Sequence, residues 1–308
     1  MLVHILGSGA GGGFPQWNCR CAHCQGVRTA DIRARPRTQS SIAVSSDGKA
    51  WALINASPDI RAQIDTFPAI QPGHQPGRAL RATGIAAVVL MDSQIDHVTG
   101  LLSLREGRNL TVYCTAQVEH DLTVGLPLFP VLRHYLALDL HVIDLSAEGG
   151  FSIDGVDGLR FTAVAVHSKA PPYSPHRQDP HLGDHIGLVI RDEHSRRSLL
   201  YAPGLGCIDA PLAAHLADAD CALLDGTFWR EDEMCTLGLS EQRAADMGHL
   251  PQSGEQGLIA ALRAFPKPRT LLVHINNTNP ILNEDSPERR QLTAAGIEVA
   301  YDGLEFSL

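Results

Sequence analysis

The stretch Ile85-Ala86-Ala87-Val88-Val89-Leu90-Met91-Asp92-Ser93-Gln94-Ile95-Asp96-His97-Val98-Thr99-Gly100-Leu101-Leu102 decides the fold. An apolar run without polar alternation predicts a strand covered on both faces. The run stops abruptly at acids, an amide and an imidazole, so a buried strand delivers titratable groups to its C-terminal end, where α/β folds place their chemistry. Asp92, Asp96 and His97 are therefore candidate catalytic residues. A second apolar segment, Thr270–Val273, ends at His274 and runs into Ile275-Asn276-Asn277-Thr278-Asn279-Pro280. An Asp-His dipeptide alone is more often a surface pair; two buried strands ending in such groups, one followed by an amide-rich loop, point to a site.

Outward from these two strands, further strands are predicted at Leu2–Leu6, Ser40–Ser45, Ala50–Asn55, Leu110–Cys114, His141–Leu145, Leu159–Val166, His185–Arg191, Ser198–Tyr201, Cys221–Leu224 and Glu298–Tyr301. A helix start is read at Asp59–Ile64, after Pro58, and residues 68–79 read as an exposed loop. Helices fit at Ala210–Ala217, Glu255–Phe265 and Ser286–Ala295, the last with Pro287 just inside a Ser cap. Strands arriving in runs with helices interspersed favour two sheets with helices outside over a strictly alternating βαβ fold. Met247-Gly248-His249 and Asp225-Gly226-Thr227 add polar turn elements, with His249 a further candidate. His167, His176, His181 and His185 bracket the proline-rich segment Ala170-Pro171-Pro172-Tyr173-Ser174-Pro175, which reads either as a lid or as a solvated loop.

The N-terminal segment is glycine-rich and then cysteine-rich. Gly7-x-Gly9-x-x-Gly12 matches the dinucleotide fingerprint literally, but Gly13-Phe14-Pro15 follows where a helix should open, and no strand ends in an acid about 20 residues on. A turn that lets backbone approach a neighbouring sheet or ligand is the better reading; a P-loop is absent. Cys19-x-Cys21-x-x-Cys24 places three thiols within one turn of loop, which suits a structural Zn²⁺ site, with a redox pair or three independent thiols as the alternatives. The zinc-binding loop spans about residues 13–26. A fourth ligand has to come from a remote residue, because His23 lies inside the turn. Helix is not expected before Gly26, given the density of breakers.

Composition narrows the classes. The chain has 308 residues, with 25 Lys+Arg against 34 Asp+Glu, hence a net charge of -9, and no basic stripe to neutralise phosphates, so nucleic acid is excluded as a partner. No apolar run reaches the roughly 18–20 residues that span a bilayer, which excludes a membrane protein. The start MLVHILGSGAGGGFP has neither a basic n-region nor an apolar h-region, so a cytoplasmic location is expected. Seven cysteines and 15 histidines are ample ligand capacity; the odd, mostly scattered thiols do not read as a disulfide framework, which suits an enzyme or a metal-binding protein.

Taken together, Phe14–Cys19 (FPQWNC) with the CxCxxC loop, 37–43 (RTQSSIA), 55–63 (NASPDIRAQ), 92–107 (DSQIDHVTGLLSLREG), 170–177 (APPYSPHR), 201–206 (YAPGLG), 247–252 (MGHLPQ) and 274–282 (HINNTNPIL) resemble the metallo-β-lactamase superfamily. Within it, the resemblance is to the branch serving biosynthesis of pyrroloquinoline quinone (PQQ). It covers most of the chain and implies an α/β fold, an αββα sandwich of metallo-β-lactamase type formed by residues 1–308 as a single domain. The superfamily's hydrolases carry His-x-His-x-Asp-His after the buried strand; here Asp92 and Gln94 stand in place of the two leading histidines. A bridging hydroxide between two zincs is then not expected, nor is β-lactamase or phosphodiesterase activity.

What the resemblance leaves is a mononuclear active-site metal held by Asp96, His97 and His274, with Asp92 and His249 nearby. Two imidazoles and one carboxylate with open positions match non-haem Fe²⁺ oxygenases, although Zn²⁺ accepts similar ligands. The branch's proposed activity agrees: iron-dependent hydroxylation by O₂ of the tyrosine ring in the cross-linked Glu–Tyr precursor released from the PqqA peptide. An older reading makes such proteins carriers of PQQ or its precursor toward the periplasm. Other PQQ-pathway proteins are further implied partners. Relatives with the same CxCxxC loop imply a remaining zinc ligand three residues beyond the active-site histidine, here Asn277. Tyr173, Arg177 and Asn276 are candidate substrate contacts.

Overall fold

The computed structural model describes residues 1–73, 79–147 and 149–308. Its strands are β1 (Leu2–Gly7), β2 (Ser41–Ser45), β3 (Trp51–Ile54), β4 (Ile85–Val89), β5 (Asn109–Cys114), β6 (Ala137–Val142), β7 (Leu159–Ala165), β8 (Ile186–Asp192), β9 (Ser198–Ala202), β10 (Cys221–Asp225), β11 (Arg269–Val273), β12 (Ile297–Val299) and β13 (Glu305–Ser307). One sheet has the order β13-β1-β2-β3-β4-β5-β6, the other β12-β11-β10-β9-β8-β7.

Side-chain alternation explains the layering. Val89 and Met91 enter an inter-sheet core with Ile42, Ile54, Leu188, Tyr201, Leu223, Leu271 and Val273. Val88 and Leu90 face the other way, onto Ile60, Val98, Leu101, Val118 and Phe129 of the outer helical segments. The second sheet repeats the pattern, with Ala222, Leu224 and Leu272 packed under Leu212, Leu216, Leu258 and Leu292. Both sheets are thus covered by helices outside and by each other inside, giving an αββα sandwich. Each fully buried Leu, Ile or Val contributes roughly 1.5–3 kcal/mol, so strands packed on both faces are rigid platforms for whatever follows them. β4, β10 and β11 are all parallel to a neighbour, and the segments they lead into carry Asp92, Asp225 and His274.

The glycine-rich turn joins the two sheets. The Gly9 amide donates to Thr38 O at 2.8 Å, the Ala10 amide to Ile275 O at 2.9 Å and the Ile275 amide to Ser8 O at 2.9 Å. This is backbone approaching a neighbouring sheet, with Gly12 at a φ of +91° that other residues avoid.

Several element boundaries differ from expectation. A helix does form in the cysteine segment, Ala22–Thr29, because the Cys21 sulfur caps it by accepting from the Cys24 amide at 3.5 Å. β6 starts at Ala137 and not His141, because pairing with β5 in register from Asn109↔Ala137 sets its start. The helix expected over 255–265 contracts to Leu258–Leu262, capped by Gly257. β13 is a short edge strand that the sequence did not signal. Of the loop expected over 68–79, Pro68–Ile70 form a short 3₁₀ turn, and residues 74–78 lie outside the described residues. The Ser286 cap holds as expected, accepting from the Arg289 amide at 3.0 Å. Among the described residues no helix is long and apolar enough to cross a membrane.

Candidate metal centres

Asp92 follows β4 and bridges across to His185 ahead of β8; a short helix, Ile95–Val98, then turns Asp96 and His97 inward. His97 is buried, and its Nδ1–H donates to the Asp92 carboxylate at 2.8 Å from both oxygens. That bond commits Nδ1 to the protein and leaves Nε2 as the nitrogen on which a metal can take the place of a proton. Among the described residues the buried Nε2 has no hydrogen-bond partner. Asp96 Oδ2 stands 3.8 Å from it and 3.2 Å from His274 Nε2. A bare Gly11 lets Asp96 sit there, since a Cβ at that position would lie 3.3 Å from Asp96 Oδ2.

His274 is oriented in the same manner by different groups. Thr227 Oγ1 donates to Asp225 Oδ1 at 2.5 Å and so accepts from His274 Nδ1–H at 2.8 Å, turning Nε2 toward Asp96. The ligand atoms of Asp96, His97 and His274 lie within 4.8 Å of one another. The Asp225, His249 and His274 atoms are equally close, but Asp225 already accepts from the Leu205 amide (2.9 Å), the Thr227 amide (2.9 Å), the Thr227 hydroxyl and His249 Nδ1 (2.6 Å). About four acceptor positions are all a carboxylate has, so Asp225 supports the histidines and has none left for a cation. Asp92 is filled likewise, by His97, the Gln94 amide at 2.8 Å and His185 Nδ1 at 3.3 Å. The Gln94 side chain donates to Lys169 O at 3.0 Å. The two positions that carry histidines in the hydrolases thus point their side chains at protein partners.

Charge favours a cation at the Asp96 set. Burial opposes ionisation of His97, yet the neighbouring Asp92 and Asp96 carboxylates push its pKa up to about 9. Burial likewise opposes ionisation of Asp96, but His97 and His274 bring it down to about 2. A buried site that grips a proton this firmly, with an orphaned imidazole nitrogen beside a carboxylate and a second imidazole, fits a divalent ion. The cavity above it, about 280 Å³, is lined by His249, Arg177, Phe228, Gln242 and Asn276 among others. His249 stacks on His274, ring centroids 5.5 Å apart.

The second candidate centre lies three residues beyond His274. The Sγ atoms of Cys19, Cys21 and Cys24 are within 4.8 Å of one another. The Asn277 side-chain amide nitrogen stands over them at 3.1, 3.7 and 3.4 Å. Turning that amide about its Cγ would present Oδ1 to an ion among the thiolates, so Asn277 is within reach of such an ion. His23 is outside this cluster, on the Ala22–Thr29 helix. Of the loop's other amides, Asn279 donates from Nδ2 to Gly226 O at 2.9 Å, and Asn276, which lines the cavity, donates from Nδ2 to Thr278 Oγ1 at 2.6 Å.

In and beside the proline-rich segment, the Tyr173 hydroxyl donates to Ser93 O and the Arg177 guanidinium to Ala170 O, while His167 is exposed and paired with Asp209 at 3.4 Å. The supporting roles of Asp225, Thr227 and His185 were not assigned from sequence. The available signal was that Asp225 ends a buried strand beside the one that ends at His274.

The fold and the residues at these strand ends define a class. A family model described as a beta-lactamase superfamily domain matches residues 50–275. Coenzyme PQQ synthesis protein B of Methylococcus capsulatus is 56% identical over 309 residues, and that of Azotobacter vinelandii 55% over 308, each covering 100% of both chains. The crystal structure of Zn²⁺-bound PqqB from Methylobacterium extorquens superposes with a TM-score of 0.89 at 40% identity over 100% of both chains. A diphosphatase of the PhnP family, at 18% identity and a TM-score of 0.67, shares the fold. The chain belongs to the metallo-β-lactamase superfamily, and within it to the coenzyme PQQ synthesis protein B family.

Proposed function

We propose that this chain acts in PQQ biosynthesis as a mononuclear, iron-dependent hydroxylase of the tyrosine ring in the PqqA-derived Glu–Tyr precursor. The observation that carries the reading is the buried His97 Nε2, without a hydrogen-bond partner among the described residues and facing Asp96 and His274, while Asp92 and Gln94 are engaged with protein groups where a second metal's histidines would stand. Asp96, His97 and His274 would hold the ion. Bound Fe²⁺ supplies the one-electron chemistry that O₂ needs to react with an arene.

The chain's own residues do the rest. Asp92 and the Thr227–Asp225 pair hold both imidazoles in one tautomer. His249, held by Asp225 on its Nδ1 side, offers its other edge to the cavity as a proton donor or acceptor beside the reacting ring. Arg177 is the guanidinium at the cavity wall and suits a substrate carboxylate. Cys19, Cys21, Cys24 and Asn277 would hold a structural Zn²⁺ outside the reaction.

The test supplies anaerobically reconstituted Fe²⁺ protein with precursor, ¹⁸O₂ and ascorbate. One oxygen atom enters the ring, the other leaves as water, and ascorbate provides the two electrons. Labelled hydroxylated product in more than one equivalent per chain, lost in His97→Ala and His274→Ala, is expected. Stoichiometric capture of precursor or PQQ without turnover, indifferent to both substitutions, overturns the reading in favour of a carrier.

A further inference from the structure

Outside both centres, the segment that follows the proline-rich stretch gathers His176, His181 and Asp184, with ligand atoms within 4.8 Å of one another. His176 Nε2 lies 2.7 Å from Asp184 Oδ1, and Asp184 Oδ2 accepts from the His181 amide at 2.8 Å. The His176 and His181 rings stack with centroids 4.7 Å apart. An ion pair between His176 and Asp184 accounts for that much and no more.

The second observation is Asp121. Its side chain is 1% exposed, Oδ2 accepts from Ser93 Oγ at 2.6 Å, and among the described residues Oδ1 has no hydrogen-bond partner. That oxygen stands 3.8 Å from His176 Nδ1. A fully buried carboxylate oxygen left without a donor is costly, and the ring edge it faces is the one that a metal-bound His176 would present as N–H. Histidines that bind metal through one nitrogen regularly donate the other N–H to a carboxylate. The order Asp121, His176, then His181 and Asp184 therefore parallels Asp92, His97, then Asp96 and His274, with the carboxylate–imidazole gap at 3.8 Å in the first and closed to 2.8 Å in the second.

We propose that His176, His181 and Asp184 form a separate binding site for a divalent transition metal of the zinc class, with Asp121 as the positioning carboxylate of His176. Two imidazoles and one carboxylate suit that class, at roughly 2.0–2.2 Å per ligand. Drawing the ligands round an ion asks the His176–Asp184 pair to open slightly and His181 to leave Asp179, whose Oδ2 is 3.3 Å from its Nε2. The exposed His181 is free to make that move.

The site lies on the segment whose Pro172 and Arg177 line the cavity. Asp121 is joined by Ser93 to the strand end that carries Asp92 and Gln94, and the Tyr173 hydroxyl donates to the Ser93 carbonyl. A metal here fastens residues 170–184 to the start of β8 beside the Asp121 turn, steadying that stretch of the cavity wall.

The experiment is a Zn²⁺ titration of the metal-depleted full chain, read by bound equivalents and by hydrogen exchange of residues 170–184. Wild type binds one equivalent more than His181→Ala, and zinc slows exchange of 170–184 in wild type alone. Asp121→Asn keeps the equivalent but weakens it by about 10–100-fold. His181→Gln serves as a second variant, and His194→Ala, on the exposed β8–β9 turn, as the control that keeps all equivalents. Equal stoichiometry in wild type and both His181 variants, or the same loss in His194→Ala, overturns the site. The count does not depend on turnover, so failure of the hydroxylase reading leaves this test intact.

Discussion

Asp92→Asn isolates the orienting carboxylate from the ligands it serves. Asparagine keeps the shape and one acceptor oxygen for His97 Nδ1–H, now made by both Asp92 oxygens at 2.8 Å, but removes the charge. A hydrogen bond to a charged group contributes about 1.5–3 kcal/mol against about 0.5–1.5 for a neutral one, so the loss is about 1–2 kcal/mol. Asp92 also attracts the proton that competes for His97, but a dication feels about twice that attraction, so the sign stays against metal binding in the variant. Affinity at the Asp96–His97–His274 set should fall roughly 5–30-fold, overlapping the lower part of the range of about 10–100-fold typical of such outer carboxylates. Co²⁺ titration against a competing chelator measures it, with thiolate-to-Co²⁺ absorption from Cys19, Cys21 and Cys24 reporting the intact second centre. Asp96→Asn, which alters a ligand, should cost more. Unchanged affinity in Asp92→Asn, with Asp96→Asn strongly impaired, would refute the orienting role; equal loss in both would make Asp92 a ligand.

Thr227→Val is near-isosteric and cuts the link between Asp225 and His274 Nδ1; expected are a destabilisation of about 1–3 kcal/mol from unsatisfied buried groups and weaker active-site metal, seen by thermal melts and by the same titration. Asn277→Ala should lower zinc affinity at the thiol centre without abolishing it, whereas Cys21→Ser removes most of it; a thiol-competition assay that finds Asn277→Ala indistinguishable from wild type excludes Asn277 as a ligand. His4, stacked on Phe67 with centroids 3.7 Å apart, is held by burial below the ordinary 6.5 despite Glu305. The unfolded chain therefore takes up that proton first, and stability falls as pH drops through 6.5; His4→Phe should shrink the difference between melting temperatures at pH 7.5 and 5.5, and an unchanged difference counts against it.

How much of this was legible in sequence followed from what sets each feature. β4 and β11 were readable because both their faces are buried, which leaves an uninterrupted apolar run. β6 was misplaced and β13 missed because an edge strand owes its bounds to its partner's register and needs no apolar pattern of its own. The helix at Ala22–Thr29 escaped because its cap is a cysteine sulfur, a residue sequence rules do not count as a capping group. Asp96, His97 and His274 were identifiable by type and position at strand ends. Asp225 and Thr227 act only by touching histidines 24 and more residues away, and His185 only by crossing to Asp92; such contacts belong to the tertiary fold.

The two centres share one loop, and that has a physical consequence. His274 sits at a φ of +54°, where side-chain-bearing residues are rarely found. Such a conformation persists only when its surroundings fix it. On one side the Ile275 amide is held by Ser8 O; on the other Asn277 lies against three sulfurs and Thr278 Oγ1 donates to the buried Glu233 at 2.5 Å. Burial raises the pKa of Glu233, so this anchor is itself sensitive to its surroundings. A structural ion among Cys19, Cys21 and Cys24 would fix Asn277 and, through three residues of backbone, the torsion that aims His274 Nε2 at Asp96. Cysteine substitutions should therefore loosen the active-site metal as well as the zinc, while His97→Ala and Asp96→Asn leave the zinc in place, because the coupling runs through His274 and not through the β4 strand end. That asymmetry separates a shared loop from general unfolding, which would strip both centres in every variant.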